Sequence, residues 1–286
     1  VDDGIAWRPG VSGTQVTTPL FGRVLGQGPG LLFIHGLSAS HQFWGECFER
    51  LSMRFRVGMV DLAGFAGSMR HPGPFDAASH AGRVLDFARA HLGPGPYVLV
   101  GHSFGALVAL AASRAPEVAG VVAIGAPVFD SPAQGRAHMS SLGILERWLA
   151  TGSRKAELAC RVFCRKAWMK PVVPLLFPDV PRLLAQQGLM HTYEAYAEAF
   201  NDMLEADVRG WLAARTVPRL FVHGTRDRYC APGDLERILG VTVHSIEGDH
   251  GLPFREPEAC LRAIESFLET LPETTTRRPD LASAAD

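Results

Sequence analysis

The 286-residue sequence predicts an α/β protein, a mostly parallel sheet with helices on both faces and one inserted helical segment. Two observations lead there. Short apolar runs rich in Val, Ile and Leu alternate with segments of helical period, the pattern of parallel strands joined by crossover helices. The alternation then stops between residues 127 and 216, where strand signals vanish and long side chains recur at helical spacing.

Taken in order, region 14–25, broken by Pro19, is expected to supply an N-terminal hairpin. Strands are expected at 31–34, 56–60, 97–100, 120–124, 219–222 and 241–246, several of them continuous apolar runs, as strands covered on both faces should be. Helices are expected at 41–52, 76–91, 104–113, 232–239 and 256–270. The stretch 127–216 is too long for a loop in a compact domain. Divided by Pro171, Pro174, Pro178 and Pro181, it reads as a helical cap subdomain on a core made of 1–126 and 217–271. From 272 to 286 the composition turns to Pro, Glu, Thr, Arg, Ala and Ser, which predicts a disordered tail.

Composition excludes several function classes. With 47% hydrophobic and 20% charged residues, the chain can bury a large core without staples. Lys and Arg number 28 against 29 Asp and Glu, so no field of one sign is available to recruit nucleic acid. No leader and no run of about 18 apolar residues is visible, which argues against a membrane span and makes the cytoplasm the expected compartment. The five cysteines are 47, 160, 164, 230 and 260. The close pair Cys160 and Cys164 has no second ligand pair nearby, so reduced, mostly buried thiols are expected rather than disulfides or zinc.

The chemistry concentrates at Gly101-His102-Ser103-Phe104-Gly105, between the apolar Tyr97-Val98-Leu99-Val100 and the helix-favouring Ala106-Leu107-Val108-Ala109-Leu110. A strand that reverses directly into a helix holds the central serine in a strained conformation with its hydroxyl projecting, and the flanking glycines remove side chains that would collide. The helix N-terminus favours negative charge at that oxygen. Alone, such a turn could equally hold a phosphate.

Its partners decide. Leu31-Leu32-Phe33-Ile34-His35-Gly36-Leu37 is a strand ending in a His-Gly turn, Phe221-Val222-His223-Gly224-Thr225-Arg226-Asp227 a strand entering a G-x-x-D turn, and Ile246-Glu247-Gly248-Asp249-His250-Gly251 a strand ending in histidine. With Asp61-Leu62-Ala63-Gly64-Phe65-Ala66-Gly67-Ser68, these resemble the α/β-hydrolase family from near the start of the chain to about Thr270. Ala66 stands where that family usually has glycine.

The resemblance implies an α/β-hydrolase fold with Ser103 as nucleophile, Asp227 as orienting acid and His250 as base, in the chain order expected. It implies an oxyanion hole from the N–H groups of Leu37 and Phe104. It makes His35 and Asp61 structural, and His102 a packing or hydrogen-bonding residue. Asp130 competes for the acid position, Asp249 is expected to shape its turn, and His244 to sit in core or surface. His41, His138 and His191 are read either as bordering the pocket or, the preferred expectation for any one of them, as solvated surface residues.

The implied reaction is acyl transfer to water through an acyl-enzyme, without metal or organic cofactor. Cap aromatics are expected to line the cleft, with Trp148, Trp168, Phe177, Tyr193 and Phe200 as candidates, which suits a hydrophobic ester or thioester. The acyl group could be free or carrier-bound, and cleavage of a C–C bond is compatible. Non-hydrolytic lyases, cyclases and ligand-binding proteins share the fold. Lyase relatives often use a cap lysine, for which Lys166 and Lys170 are the nearest candidates.

Overall fold

Seven strands form one sheet in the computed structural model, which describes residues 19–276. They are β1 (Gly22–Leu25), β2 (Gly30–Ile34), β3 (Arg56–Val60), β4 (Tyr97–His102), β5 (Val118–Ile124), β6 (Arg219–Gly224) and β7 (Val243–Ile246). The spatial order is β1-β3-β2-β4-β5-β6-β7. β1 runs antiparallel to β3 and every other pair is parallel. The hairpin expected at 14–25 takes a different form. Its second half is β1, which pairs with β3 rather than with a sequence neighbour, and residues 14–18 lie outside the described residues.

Successive side chains of a strand point to opposite faces. Leu32, Ile34, Tyr97, Leu99, Val121 and Ala123 accordingly belong to one buried cluster, and Leu31, Phe33, Val98, Val100, Val122 and Ile124 to the other. Both faces are covered, which is why these strands read as unbroken apolar runs. The first face carries α2 (Ala77–Leu92) and α3 (Phe104–Ala112), whose nine residues are all buried. Asp76 caps α2 by accepting from the Ser79 N–H at 2.8 Å. The second face carries α1 (Gly45–Glu49) and, near the C-terminus, the helix Pro257–Thr270. There Phe33 meets Trp44 edge-on at 4.9 Å.

Between β5 and β6 lie α4 (Pro132–Leu142), α5 (Ile144–Ala150), α6 (Arg154–Phe163), α7 (Met169–Leu176), α8 (Arg182–Gln187), α9 (Tyr193–Glu205) and α10 (Val208–Ala214). Their attachment is uneven. α9 buries Ala199, Phe200, Met203 and Leu204 in the first-face cluster. Its carboxylates Glu198 and Asp202 accept from the N–H groups of Phe75 and Ala77, each at 2.8 Å. Just before it, His191 bridges to Phe65, and Thr192 N–H donates to Gly64 O at 3.1 Å. α7 and α8, by contrast, share a small separate cluster of Met169, Val173 and Ala185.

After β6 come α11 (Pro232–Leu239), α12 (Leu252–Arg255), α13 (Pro257–Thr270) and α14 (Glu273–Thr276). The expected disorder from 272 is corrected at its start, because Glu273–Thr276 is a helical turn with Thr275 buried. Residues 277–286 lie outside the described residues. No helix among the described residues is long and apolar enough to cross a membrane.

The strand order reverses between β2 and β4, since the chain continues to β3 on one side and to β5 on the other. In open α/β sheets the loops diverge at such a point and leave a crevice at the C-terminal strand ends. The turns after β2 and β4 both open there.

Candidate active site

Ser103 sits between β4 and α3 at φ 54° and ψ −124°, a left-handed conformation that a non-glycine residue holds only when its surroundings impose it. Those surroundings are backbone. A side chain on Gly101 would lie 2.2 Å from Gly105 O, and one on Gly105 would lie 2.2 Å from Ile34 O and 2.4 Å from His35 O. Ser103 N–H also donates to Ile124 O at 2.9 Å, tying the turn to β5. Gly105→Ala is therefore expected to cost at least about 3 kcal/mol, the upper part of the overpacking range, because strand carbonyls cannot step aside as a side chain would. Urea unfolding checks this against the wild type.

Three side chains meet above the turn. Ser103 O–H donates to His250 Nε2 at 3.0 Å, and His250 Nδ1–H donates to Asp227 Oδ2 at 2.8 Å, the tautomer being assigned by this network. The β6 and β7 loops bring the last two together through Thr225 N–H to Ile246 O at 2.9 Å and Arg226 N–H to Gly248 O at 2.8 Å. Asp227 Oδ1 accepts from Tyr229 N–H at 2.9 Å. Burial pushes the Asp227 carboxyl up, yet the charge and hydrogen bond of His250, with His223 and the Tyr229 amide, hold it below its ordinary range.

Leu37 follows β2 across from the serine, and a side chain on the intervening Gly36 would approach Ser103 Cβ to 2.8 Å. Phe104 opens α3, so its N–H is one of the amides that a helix leaves without an intrahelical acceptor. The two turns thus stand against each other beside Ser103.

Three further side chains surround the group, and of these only His102 was expected, as a packing or hydrogen-bonding residue. His102 is buried, stacks on Phe43 at 4.7 Å, and donates from Nε2 to the His250 backbone O at 2.8 Å. Burial, then the charge of His250, lowers it to about 3, so as a neutral imidazole it holds the His250 backbone. His223 Nε2 donates to Cys230 O at 2.6 Å and lies 3.3 Å from Asp227 Oδ2. Tyr229 packs its ring on His250 at 4.4 Å. No sequence signal marks these two beyond their nearness to Asp227.

The remaining candidates separate clearly. His35 donates from Nδ1 to Gly36 O at 2.7 Å and accepts the Leu62 N–H at Nε2, 3.0 Å away. Asp61 accepts from Gly67 N–H and from both the backbone and ring of His41. Asp130 lies at the surface paired with Arg237, and Asp249 accepts from Gly251 N–H and pairs with Arg255. His244 is exposed on β7, and His138 is half-buried and donates to Arg228 O. His41 is half-buried rather than solvated, and His191 is not at the surface but buried, bordering the cavity over Ser103.

A cavity of about 870 Å³ opens over Ser103 and His250, between the sheet edge and the helices that join β5 to β6. Trp168, Phe177, Tyr193 and Phe200 line it, with Leu37 at its floor. Trp148 does not: it packs against the first-face core and beneath Lys155. Lys166 and Lys170 are exposed and lie outside the lining.

A doubly covered parallel sheet with this grouping at its switch point is the architecture of a hydrolytic enzyme. The chain belongs to the alpha/beta hydrolase family, whose model matches residues 31–263. Pimeloyl-(acyl-carrier protein) methyl ester esterase of Chromobacterium violaceum is 31% identical over 276 residues, covering 88% of this chain and 98% of that one. N-formylmaleamate deformylase of Pseudomonas putida is 27% identical, covering 85% and 90%. Among solved structures, a malate-bound thermophilic esterase from Thermogutta terrifontis superposes with a TM-score of 0.64 at 26% identity, covering 87% and 93%.

Proposed function

We propose that the chain hydrolyses carboxylic esters of hydrophobic acyl groups, with Ser103 as nucleophile, His250 as base and Asp227 as its orienting acid. The observation that carries this reading is the continuous relay from Ser103 O–H through His250 to Asp227 at the floor of an apolar cavity. As Ser103 Oγ attacks the carbonyl carbon, its proton passes to His250 Nε2, and the N–H groups of Leu37 and Phe104 hold the oxyanion. The protonated His250 hands that proton to the leaving alcohol. A water activated by the same nitrogen then releases the acid and regenerates the serine. Asp227 keeps the ring in the one tautomer that can accept at Nε2.

The lyase reading gains nothing from Lys166 and Lys170, which face solvent. A carrier-bound acyl group is supported by the relative named for such a substrate and by the cap surface. Between residues 154 and 187, seven Arg or Lys stand against Glu157 and Asp179, beside the exposed Leu158, Phe163 and Trp168. That mixture of charge and apolar surface suits an acidic carrier delivering an apolar chain.

A fluorophosphonate probe and a series of aryl esters of increasing acyl length test the proposal. Labelling of the folded wild type and turnover that rises with chain length are expected. Phe177→Ala should cost at least about tenfold in kcat/KM on medium chains while leaving acetate esters nearly unchanged, the scale of lost methylene contacts in a pocket. A folded wild type that is neither labelled nor active would overturn the reading.

A further inference from the structure

Cys160 lies on α6 and Cys164 is the residue that ends it, while His191 stands just before α9. Their spacing within the sequence hides what the fold does with them. Cys160 Sγ, Cys164 Sγ and a ring nitrogen of His191 lie within 4.8 Å of one another, and Cys164 Sγ is 3.4 Å from His191 Nε2. Ligands about 2.3 Å (sulfur) and 2.0 Å (nitrogen) from a tetrahedral zinc are themselves roughly 3.5–3.8 Å apart, so only small side-chain shifts separate this cluster from a coordination shell.

The histidine is also set for the purpose. Its Nδ1–H donates to Gly188 O at 3.0 Å, which fixes the tautomer and leaves the Nε2 lone pair towards the thiols. Gly188 is held in turn by its N–H to Leu184 O at 2.9 Å, and the Cys164 end of α6 is joined to the same segment through Arg165 N–H to Leu189 O at 3.0 Å. Both halves of the cluster are therefore anchored before any ion arrives. Two thiolates and a neutral imidazole cancel the charge of a divalent ion, which a half-buried to buried site needs.

We infer that Cys160, Cys164 and His191 form a binding site for a thiophilic divalent cation of the zinc class on the cap wall of the acyl cavity. All three line that cavity, so the ion's remaining coordination position opens towards it. Binding converts two thiols to thiolates and releases their two protons to solvent, so affinity falls as pH falls. It also fastens α6 to the His191 segment, which is bridged to Phe65 of the core. Nothing in this step requires the serine chemistry, and its test is independent of turnover.

The test is titration of the full chain with cobalt(II) as a spectroscopic stand-in for zinc, under a phosphine reductant that keeps all five cysteines as thiols. One ion per chain is expected, with thiolate-to-cobalt charge-transfer absorption and the intense visible bands of tetrahedral coordination, both removed by added zinc. Cys160→Ser, Cys164→Ser and His191→Asn should each lose the tetrahedral bands. Asn keeps a donor in the place of Nδ1 and removes only the Nε2 ligand, so its fold is expected to survive, as circular dichroism checks. Cys47→Ser should retain the full spectrum. Absence of the bands in the wild type, their persistence in the three variants, or their loss in Cys47→Ser would overturn the inference.

Discussion

Ser103→Ala is expected to lower kcat/KM on every ester substrate by at least about 10,000-fold, the scale on which loss of a triad nucleophile falls. Stability should change by less than about 0.5 kcal/mol, because alanine bears the same left-handed backbone that serine does. That pairing of results separates chemistry from folding. The strain at φ 54° is imposed by the Gly101 and Gly105 contacts, which the substitution leaves in place. Burst and steady-state kinetics on an aryl ester, with urea unfolding alongside, check both halves. A variant that kept more than about one per cent of turnover would move the nucleophile elsewhere.

Asp227→Asn should cost about 10,000-fold in kcat, by a different route. One carboxylate oxygen accepts from Tyr229 N–H and the other from His250 Nδ1–H. In asparagine the carbonyl oxygen is drawn to the fixed Tyr229 amide, which turns the NH2 towards His250. Nδ1 must then accept, the proton moves to Nε2, and the ring can no longer take a proton from Ser103. The same substitution has a signature in stability. In the fold this carboxyl titrates below its ordinary 3.8, so its ionised form is favoured by folding. That contribution is complete above the unfolded value and is lost as pH falls through the folded one. Wild-type stability should therefore decline more steeply below about pH 4 than that of Asp227→Asn, as thermal unfolding across pH would show.

Much of this was legible in the sequence for a definite reason. Strands covered on both faces are apolar at every position, so 31–34, 97–100 and 120–124 announced themselves without alternation. The candidate triad was legible because Ser103, Asp227 and His250 each lie in the turn that follows a strand, and in this topology strand ends converge. What stayed hidden depends on which way a helix faces. Trp148 and Trp168 are alike as letters, yet one turns to the core and the other to the cavity. His191 lies 27 residues from Cys164, and only the packing of α9 beside the end of α6 brings them together. The first strand was misjoined because its partner, β3, lies beyond β2 in sequence, and periodicity carries no information about pairing.

The uneven fastening of the helices between β5 and β6 has a consequence for how such a cavity can change. α9 shares its buried side chains and its carboxylate hydrogen bonds with the sheet layer, so disturbing it disturbs the whole domain. α7 and α8 rest on a small cluster of three buried residues of their own and can open locally at lower free energy. One wall of the cavity is thus inherited with the fold, while the other is free to vary. Substitutions that refit the chain to a new acyl group can accumulate on α7 and α8 while the Ser103 turn stays where it is.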